Sequence, residues 1–475
     1  MSADLKSKQW PQVLAAVTCA INAFGMGLQF GWPPQAIPKI LSDEFPSHVT
    51  SDETSYILLI GPLSYIVAAP VFASLADIIG RKKCLLLLAI PQLIAWILIA
   101  NAKTVMVLYI ARLIGSAFEG GLYAVYPMYL GEICEPKVRG VLGSSLSVSI
   151  LLGQVVMTAY GSYTSITVSA YIACISPILF LLTFSWMPES PYFFLMKNRV
   201  KEAEQSLKAL RKMDNVEKEL NQLEGDVKRQ MSESNSIKDL FMIDSNRRGL
   251  VVMFCLRTFQ QLSGITPIGF YAQIIFKEGG DFLSPEICSI IYFLIQVTVA
   301  SLAAAVVDKF GRRPLFMTSS FTTAIILFLL GVYYYLSNLG YDLTSYNWMP
   351  LVGMILYVIC MSFGILVAPN LMVGEMFSTR AKAKALSICS IHFAILISIL
   401  TQVFHLLQKN FGISSPFFLF GTCTMFGVVY GHFWMPETKG KTLEEIQQYL
   451  KGRRDTRKSN AYNGFENKGN NICEK

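Results

Sequence analysis

Residues 77–82 read Asp-Ile-Ile-Gly-Arg-Lys, and residues 308–313 read Asp-Lys-Phe-Gly-Arg-Arg. Each copy joins two long apolar blocks through a short charged turn. Two more motifs recur in the same order. One is a Glu followed a few residues later by an Arg, and the other is Pro-Glu-Ser in the first half and Pro-Glu-Thr in the second. Three motifs repeated in one order indicate two halves related by duplication. The second and third motifs are Glu132, Arg139 and 188–190 in the first half, and Glu375, Arg380 and 436–438 in the second.

The apolar blocks beside these turns are long enough to cross a membrane. The 475-residue chain is 53% hydrophobic and only 15% charged, with a mean hydropathy of +0.45, whereas a soluble domain carries about 25% charged residues. A helix needs about 20 mostly apolar residues to cross hydrocarbon. The sequence therefore predicts an all-α integral membrane protein with twelve spans in two six-helix halves. The blocks lie near 12–31, 55–78, 84–100, 104–127, 141–161, 166–186, 250–276, 284–307, 314–336, 347–374, 384–407 and 414–435.

The basic residues test this count, because cytoplasmic loops of membrane proteins are rich in Lys and Arg. With a cytoplasmic N-terminus, all but six of the 40 Lys and Arg residues fall in cytoplasmic segments. The net charge of +8 therefore reflects orientation in a membrane, and no nucleic-acid partner is needed to explain it. The exceptions are Lys39, Lys103, Lys277 and Lys409 on the other side, and Arg112 and Arg257 within spans.

Two charged stretches break the membrane pattern. Residues 187–249 form a mixed-charge linker, in which 200–213 and 215–231 have helical patterns. Residues 436–475 form a tail that begins with a helical pattern and then turns polar, so we expect its end to be disordered. The predicted organisation is an N-terminal segment (1–11), a first half (12–186), the linker, a second half (250–435) and the tail, with both termini cytoplasmic.

Several kinds of function find no support in the residues present. Residues 1–11 are polar and the first apolar block lacks a cleavage site, so we expect no cleavable signal peptide. Most of the ten cysteines lie inside apolar blocks, which does not favour a disulfide framework. The four histidines have no metal-ligand spacing, and no nucleophile motif or phosphate loop occurs. We therefore expect no cofactor, no metal and no enzymatic activity.

Four longer strings carry a resemblance to a known family. They are residues 188–192 (Pro-Glu-Ser-Pro-Tyr), 260–265 (Gln-Gln-Leu-Ser-Gly-Ile), 308–313, and 436–446 (Pro-Glu-Thr-Lys-Gly-Lys-Thr-Leu-Glu-Glu-Ile). In this order and at these helix ends, they resemble the sugar-porter family of the major facilitator superfamily over residues 24–446. Within it, residues 127–132 and 380–383 are similar to those of the insect facilitated trehalose transporters.

The resemblance implies the major facilitator fold and transport of a sugar across a cell membrane by alternating access. The first spanning block contains no carboxylate, which favours facilitated diffusion of trehalose or a hexose-like sugar down its gradient. Two alternatives stay open: a proton-coupled sugar symporter, and a nutrient sensor that does not transport. We expect a monomer whose partners are the sugar and the lipid bilayer.

Gln260 and Gln261 are the main candidates for substrate contact. Each amide offers donors and an acceptor suited to sugar hydroxyls, although polar residues in membranes also hold helices together. Gly264 and Pro267 would let this seventh helix bend or break. The resemblance implies further substrate contacts at positions where this chain departs from the family pattern. Because of these departures the substrate stays open: it is a hexose or a different polyol, or transport has been lost. Those positions are Ser147, Thr266, Gln296 and Asn370, and Ile391-His392 is one more departure.

Ten charged residues fall where helices would enter the cytoplasm. If they pair across the seam between the halves, they hold an inner gate shut while the outer side is open, since a network of ion pairs can bias a two-state equilibrium. The alternative is a plain topology signal, in which basic residues keep loops inside. The ten are Asp77, Arg81, Lys82, Glu132, Arg139, Asp308, Arg312, Arg313, Glu375 and Arg380.

Glu119 is the one acidic residue well inside a predicted span. An ionisable residue inside a membrane is a candidate functional site by default, so Glu119 is a possible proton site. Arg112 lies two helical turns away, roughly 10 Å along the same face. A structural pairing of Glu119 with Arg112 or with a polar neighbour is the alternative.

Overall fold

The computed structural model describes residues 9–42, 44–232, 238–280, 282–377, 379–439, 441 and 443–450. These residues form helices joined by turns, and they contain no strand. The helices of the first half are α1 (Trp10–Ile40), α2 (Ser51–Leu63), α3 (Tyr65–Ile79), α4 (Arg81–Ala100), α5 (Val105–Ile133), α6 (Pro136–Tyr163), α7 (Ile166–Ala173) and α8 (Ile175–Phe184).

The linker and the second half continue this pattern. The linker holds α9 (Pro191–Met196), α10 (Val200–Arg211), α11 (Glu217–Ser232) and α12 (Lys238–Met242). The second half holds α13 (Asp244–Leu262), α14 (Ile265–Phe270), α15 (Ala272–Glu278), α16 (Pro285–Phe310), α17 (Arg312–Asn338), a 3₁₀ turn (Thr344–Tyr346), α18 (Met349–Met361), a π-helical turn (Ser362–Leu366), α19 (Val367–Met376), α20 (Thr379–Phe411) and α21 (Ser414–Phe433), and α22 (Leu443–Leu450) follows it.

Eleven continuous or nearly continuous helices of the described chain are long and apolar enough to span a membrane. The seventh predicted span is built from three short pieces instead, α13, α14 and α15. The break falls at Gly264, whose φ of +83° is a left-handed conformation that glycine adopts without steric cost. The expectation that this helix bends or breaks near Gly264 is therefore confirmed, and the architecture is the predicted bundle of twelve spans.

The tenth span is also irregular, because a π-helical turn at Ser362–Leu366 separates α18 from α19. Such a turn frees backbone groups that a regular helix would pair. Ser319 of α17 covers them: its Oγ donates to the Cys360 carbonyl over 2.6 Å and accepts from the Ile365 N–H over 3.1 Å. The irregularity is thus stabilised by the neighbouring span.

Close packing within the first half depends on small residues. A Cβ atom at Gly27 of α1 would lie 2.0 Å from the Ile150 carbonyl of α6, and one at Gly153 would lie 2.2 Å from the Phe24 carbonyl. Helices in lipid associate where small residues let their backbones approach. This contact fixes the position of α1 against α6. The faces that the two helices turn towards the second half are thereby fixed as well.

Alternation of the spans gives the bundle two faces. We call the face where α1 begins the basic face; it holds the turns at Gly80 and Gly311. The opposite face holds the ends of α1 and α20 and the start of α2. Thr50 and Glu53 cap α2 there reciprocally, since Glu53 Oε2 accepts from the Thr50 N–H over 2.8 Å and Thr50 Oγ1 accepts from the Glu53 N–H over 3.3 Å.

Candidate functional site: the seam between the two halves

Gln260 and Asn370, two of the predicted substrate contacts, meet at one backbone carbonyl. Gln260 lies near the end of α13, and its Nε2 donates to the Leu366 carbonyl over 3.1 Å. Asn370 lies in the first turn of α19, and its Nδ2 donates to the same carbonyl over 2.9 Å. Gln260 is buried and Asn370 is exposed. One carbonyl at the end of the π-helical turn in the tenth span therefore accepts from both amides.

Arg257 occupies the other side of the Gln260 amide. Its Nη1 donates to Gln260 Oε1 over 2.9 Å, and its guanidinium carbon lies 5.3 Å from the centroid of the Phe393 ring. The sequence marked Arg257 only as a basic residue inside a span. Its contact with Gln260 could have been suspected from the three-residue spacing, since side chains three apart share a helix face.

Gln261 and Thr266 also come together, across the break at Gly264. The Thr266 Oγ1 donates to Gln261 Oε1 over 2.8 Å, and Gln261 is buried. The two residues lie on different helices, α13 and α14, so the hydrogen bond depends on the turn between them.

Gln296 and Ser147 lie apart from these pairs in the described hydrogen-bond network. Gln296 of α16 is 7% exposed, and its buried Oε1 has no hydrogen-bond partner among the described residues. Ser147 of α6 is exposed. A buried acceptor without a partner is unfavourable, so Gln296 is the predicted contact that gains most from a ligand.

Stacked rings make further contacts, both between the halves and within the second half. The ring of Phe30 on α1 stacks on Phe270 of α14, with centroids 6.3 Å apart, and so links the two halves. In the second half, His392 stacks on Phe254 at 4.3 Å, and its Nε2 lies 3.0 Å from the Thr258 Oγ1. The composition of a span does not distinguish such rings from lipid-facing ones, so no sequence signal identified the three phenylalanines. His392 was noted only as a departure from the family pattern.

Glu119 is buried in α5 and has a tyrosine as its hydrogen-bond partner. The Tyr65 hydroxyl of α3 donates to Glu119 Oε2 over 2.5 Å. Arg112 instead donates from Nη1 to the Gln29 carbonyl over 3.3 Å, and its guanidinium carbon lies 5.9 Å from the Trp32 ring. No ion pair within 4.0 Å joins Glu119 to Arg112 in the described part of the chain, so the polar neighbour that Glu119 contacts directly is Tyr65.

Arg81 is the centre of the charge cluster on the basic face. Although it is only 2% exposed, its Nη2 lies 2.9 Å from Asp77 Oδ1 and its Nε lies 3.0 Å from Glu132 Oε2. Ser190 donates to the same Glu132 carboxylate. Tyr192 packs its ring beneath the guanidinium, and burial raises the pKa of Tyr192 to about 12. The cluster therefore ties the second, third and fourth spans to the linker.

The duplicated motifs meet in the same way in both halves. Glu189 accepts from the Lys82 backbone N–H over 2.9 Å, and Glu437 accepts from the backbone N–H of Arg313 over 3.0 Å. Each carboxylate caps the start of a helix, α4 or α17, where four backbone N–H groups lack partners and the helix dipole favours negative charge. The glutamate of the Pro-Glu-Ser or Pro-Glu-Thr motif therefore holds the glycine-arginine turn of its own half.

For the ten predicted gate residues, the structure describes contacts within each half. Arg139 is exposed and donates to the Cys134 carbonyl over 3.1 Å, and Arg313 donates from Nε to the Gly431 carbonyl over 2.9 Å. The Arg312 N–H is held by Glu437. The side chains of Asp308, Glu375 and Arg380 lie outside the described part. Each of the contacts of Arg81, Lys82, Arg139, Arg312 and Arg313 described above stays within one half or its adjoining linker or tail.

Contacts between the halves occur on the opposite face. Asp52 at the start of α2 lies 2.6 Å from the Lys409 Nζ and 2.9 Å from the His405 Nε2, both on α20. Further along α20, the Ser398 Oγ donates to the Leu59 carbonyl over 3.0 Å. These polar contacts close the seam on the face away from the basic clusters. A separate contact joins α15 to α6, where Gln273 Nε2 donates to the Ser162 Oγ over 2.7 Å.

A bundle of twelve spans in two halves, with two helices of the second half interrupted beside a group of amides, has the architecture of a multi-pass membrane transporter. The profile of the family described as "Sugar (and other) transporter" matches residues 18–450. The chain belongs to this family, and it is therefore a sugar transporter rather than an enzyme.

Curated relatives agree with this assignment. The chain is 31% identical to a facilitated trehalose transporter, Tret1, of Bombyx mori over 98% of this chain and 90% of the relative. It is also 31% identical to Tret1 of Polypedilum vanderplanki, over 94% of this chain and 89% of the relative.

Solved structures agree on the fold. A partially occluded inward-open conformation of the xylose transporter XylE from E. coli has a TM-score of 0.76 at 20% identity, covering 91% of this chain and 100% of that one. The proton:xylose symporter XylE bound to 6-bromo-6-deoxy-D-glucose has a TM-score of 0.70 at 21% identity, covering 93% and 98%. Both confirm the predicted major facilitator fold.

Proposed function

We propose that this chain carries trehalose or a hexose-like sugar down its concentration gradient by alternating access. The observation that carries the proposal is the group of amides at the broken seventh and tenth spans, where Gln260 and Asn370 share the Leu366 carbonyl and Gln261 pairs with Thr266. Sugar hydroxyls both donate and accept, and amides offer both functions. The curated relatives named for trehalose support that sugar as the first to test.

The rocking motion in this proposal needs one face closed at a time. The contacts of Asp52 with His405 and Lys409 support a state whose opposite face is shut. We propose that the ten charged residues of the basic face stabilise the alternative state, when the halves approach there. In the present state, the Arg81 and Glu437 clusters keep each half's turns preformed for that contact.

Orientation and organisation form part of the same proposal. The basic face is cytoplasmic, both termini lie there, and the protein acts as a monomer in the cell membrane. The first half (12–186) and the second half (250–435) move as units, joined by the linker at 187–249 and followed by the tail. An epitope tag at either terminus is expected to be reached by antibody only after the cells are permeabilised. Antibody labelling of intact cells would contradict this orientation and place the tagged terminus outside.

The decisive test is uptake of labelled trehalose and D-glucose by cells that express the chain, with and without an uncoupler. We expect saturable uptake that ignores the uncoupler and collapses in a Gln260→Ala/Gln261→Ala variant. Gln408→Ala is the matched control, because Gln408 lies on the opposite face, away from the amides, and donates to Glu278. Sugar binding without flux would favour the nutrient sensor. Absence of both binding and uptake, with protein at the surface, would refute the proposed substrates.

A proton-coupled mode at Glu119 is the second candidate, and its burial beside Tyr65 is the observation that favours it. A carboxyl group that gains and loses a proton can link transport to a proton gradient. Accumulation of sugar against its gradient, lost with an uncoupler and lost in Glu119→Gln, would establish this mode. Retention of downhill uptake in Glu119→Gln, with no effect of the uncoupler, would leave Glu119 a structural partner of Tyr65.

A further inference from the structure

The charges deep inside the described spans do not balance. Away from the helix ends of the described spans there are three ionisable side chains, Arg112, Glu119 and Arg257. Glu119 and Arg112 belong to the same helix of the first half and interact electrostatically. Arg257 belongs to the second half. A charge at membrane depth is costly unless it is paired or faces a polar cavity, so the surroundings of Arg257 decide what it does.

The neighbours of Arg257 in the described part of the chain are neutral groups. Gln260 accepts a hydrogen bond from one Nη atom, the Phe393 ring lies beneath the guanidinium, and Tyr123 and Cys389 lie within electrostatic range. Among the described residues no carboxylate lies within 4.0 Å of it. A guanidinium has five N–H donors, and the hydrogen bond to Gln260 uses one of its nitrogens. Arg257 therefore keeps a positive charge and free donors.

Arg257 lies deep in its span, with its charged group buried although the residue as a whole is partly exposed. It lies thirteen residues beyond the start of α13, roughly 20 Å along the helix axis, which places it near the middle of the bundle. Tyr123, its neighbour from the first half, belongs to α5. Arg257 thus stands at the seam, one helical turn from Gln260 and beside the proposed sugar site.

We propose that Arg257 binds an anionic group of the transported solute, so that the substrate range includes acidic sugars such as hexuronates. The fork of the guanidinium matches a carboxylate in a bidentate arrangement. Gln260, Gln261 and Asn370 then bind the hydroxyls of the same ring. This inference rests on the proposed function, because it places the acidic group of the sugar in the site where the neutral sugar would bind.

A comparison of D-glucuronate with D-glucose, which differ only in the carboxylate at C6, tests this inference. The full chain, reconstituted in liposomes, is tested for uptake of each labelled sugar and for competition between them. We expect D-glucuronate to bind roughly tenfold or more tightly than D-glucose, since a hydrogen bond to a charged group is stronger than one between neutral groups. A potential that is positive inside should accelerate uptake of D-glucuronate and leave D-glucose uptake unchanged, because only the former carries charge.

Two variants separate the charge of Arg257 from its shape. In Arg257→Gln the preference for D-glucuronate over D-glucose should disappear, and in Arg257→Lys part of it should remain. If the unaltered protein carries D-glucose or trehalose but neither carries nor binds D-glucuronate, the inference is overturned and Arg257 only positions Gln260. If the correctly folded protein carries and binds none of the three sugars, the proposed function itself fails, and this inference fails with it.

Discussion

The carboxylate of Asp52 lies 2.6 Å from the Lys409 ammonium, although 357 residues separate them in the sequence. The contact joins the start of the second span to the end of the eleventh, and His405 lies on the same carboxylate. Since the two spans belong to different halves, opening the opposite face requires this contact to break. Whether this ion pair is formed therefore depends on the position of one whole half relative to the other.

Asp52→Asn is expected to loosen the closure of the opposite face. The neutral amide keeps the shape of Asp52 but loses its attraction for Lys409. The state in which the opposite face is closed should therefore be less populated. Hydrogen exchange followed by mass spectrometry should show faster exchange at the start of α2 and the end of α20. Asp342→Asn is the control, because Asp342 is an exposed acid that bonds Thr344 within its own loop. Equal exchange in the two variants would mean that the pair does not hold the halves together.

Arg81→Ala should destabilise the protein by about 3–5 kcal/mol, because removal of one partner leaves a carboxylate of a buried cluster uncompensated. Glu132 loses its basic partner in this variant, and Asp77 loses its link to the cluster. The thermal unfolding midpoint in detergent measures the effect. Arg139→Ala provides the comparison, since Arg139 lies outside the cluster and bonds a nearby carbonyl; a change within about 0.5 kcal/mol is expected there. Similar losses in both variants would contradict the central role of Arg81.

Gly264→Ala and Gly340→Ala separate two costs of adding a methyl group. Both glycines have φ of +83°, so both variants carry the strain of a left-handed conformation, about 1–2 kcal/mol. A Cβ at Gly264 would also lie 2.6 Å from Phe420 Cδ2, whereas a Cβ at Gly340 meets no atom within 4 Å. Gly264→Ala should therefore lower the unfolding midpoint further and reduce sugar uptake. Equal midpoints would show that the break in the seventh span tolerates a larger residue.

Gln296→Leu should weaken sugar binding without weakening the fold. Its buried Oε1 has no partner among the described residues, so an apolar replacement of similar size removes an unsatisfied acceptor. Loss of one hydrogen bond to a sugar hydroxyl costs about 0.5–1.5 kcal/mol, which corresponds to a rise of KM by roughly two- to tenfold. Ser301→Ala, on the exposed side of the same helix, is the control. An unfolding midpoint that falls with no change in KM would assign Gln296 to helix packing.

Much of the architecture follows from local properties of the chain. The length and apolarity of each block require a helix across the membrane, because lipid offers no partners for backbone N–H and C=O groups. Gly264 marked the break of the seventh span, and the recurring turns at Gly80 and Gly311 marked the two halves. The linker helices α10 and α11 begin within two residues of the patterns at 200–213 and 215–231. These features depend on residues close in sequence, so periodicity and motif order are enough to find them.

The partners of the polar residues were decided only by the tertiary structure. Gln260 of the seventh span meets the Leu366 carbonyl because the π-helical turn of the tenth span presents it, and Glu119 meets Tyr65 through the packing of α3 against α5. The seam is held by Asp52 and Lys409, a pair that no spacing rule connects. Pairing of charges and amides depends on how whole helices pack and on which state the two halves adopt. The sequence by itself determined which residues are polar and where the spans lie, and the arrangement of the helices determined which of those residues meet.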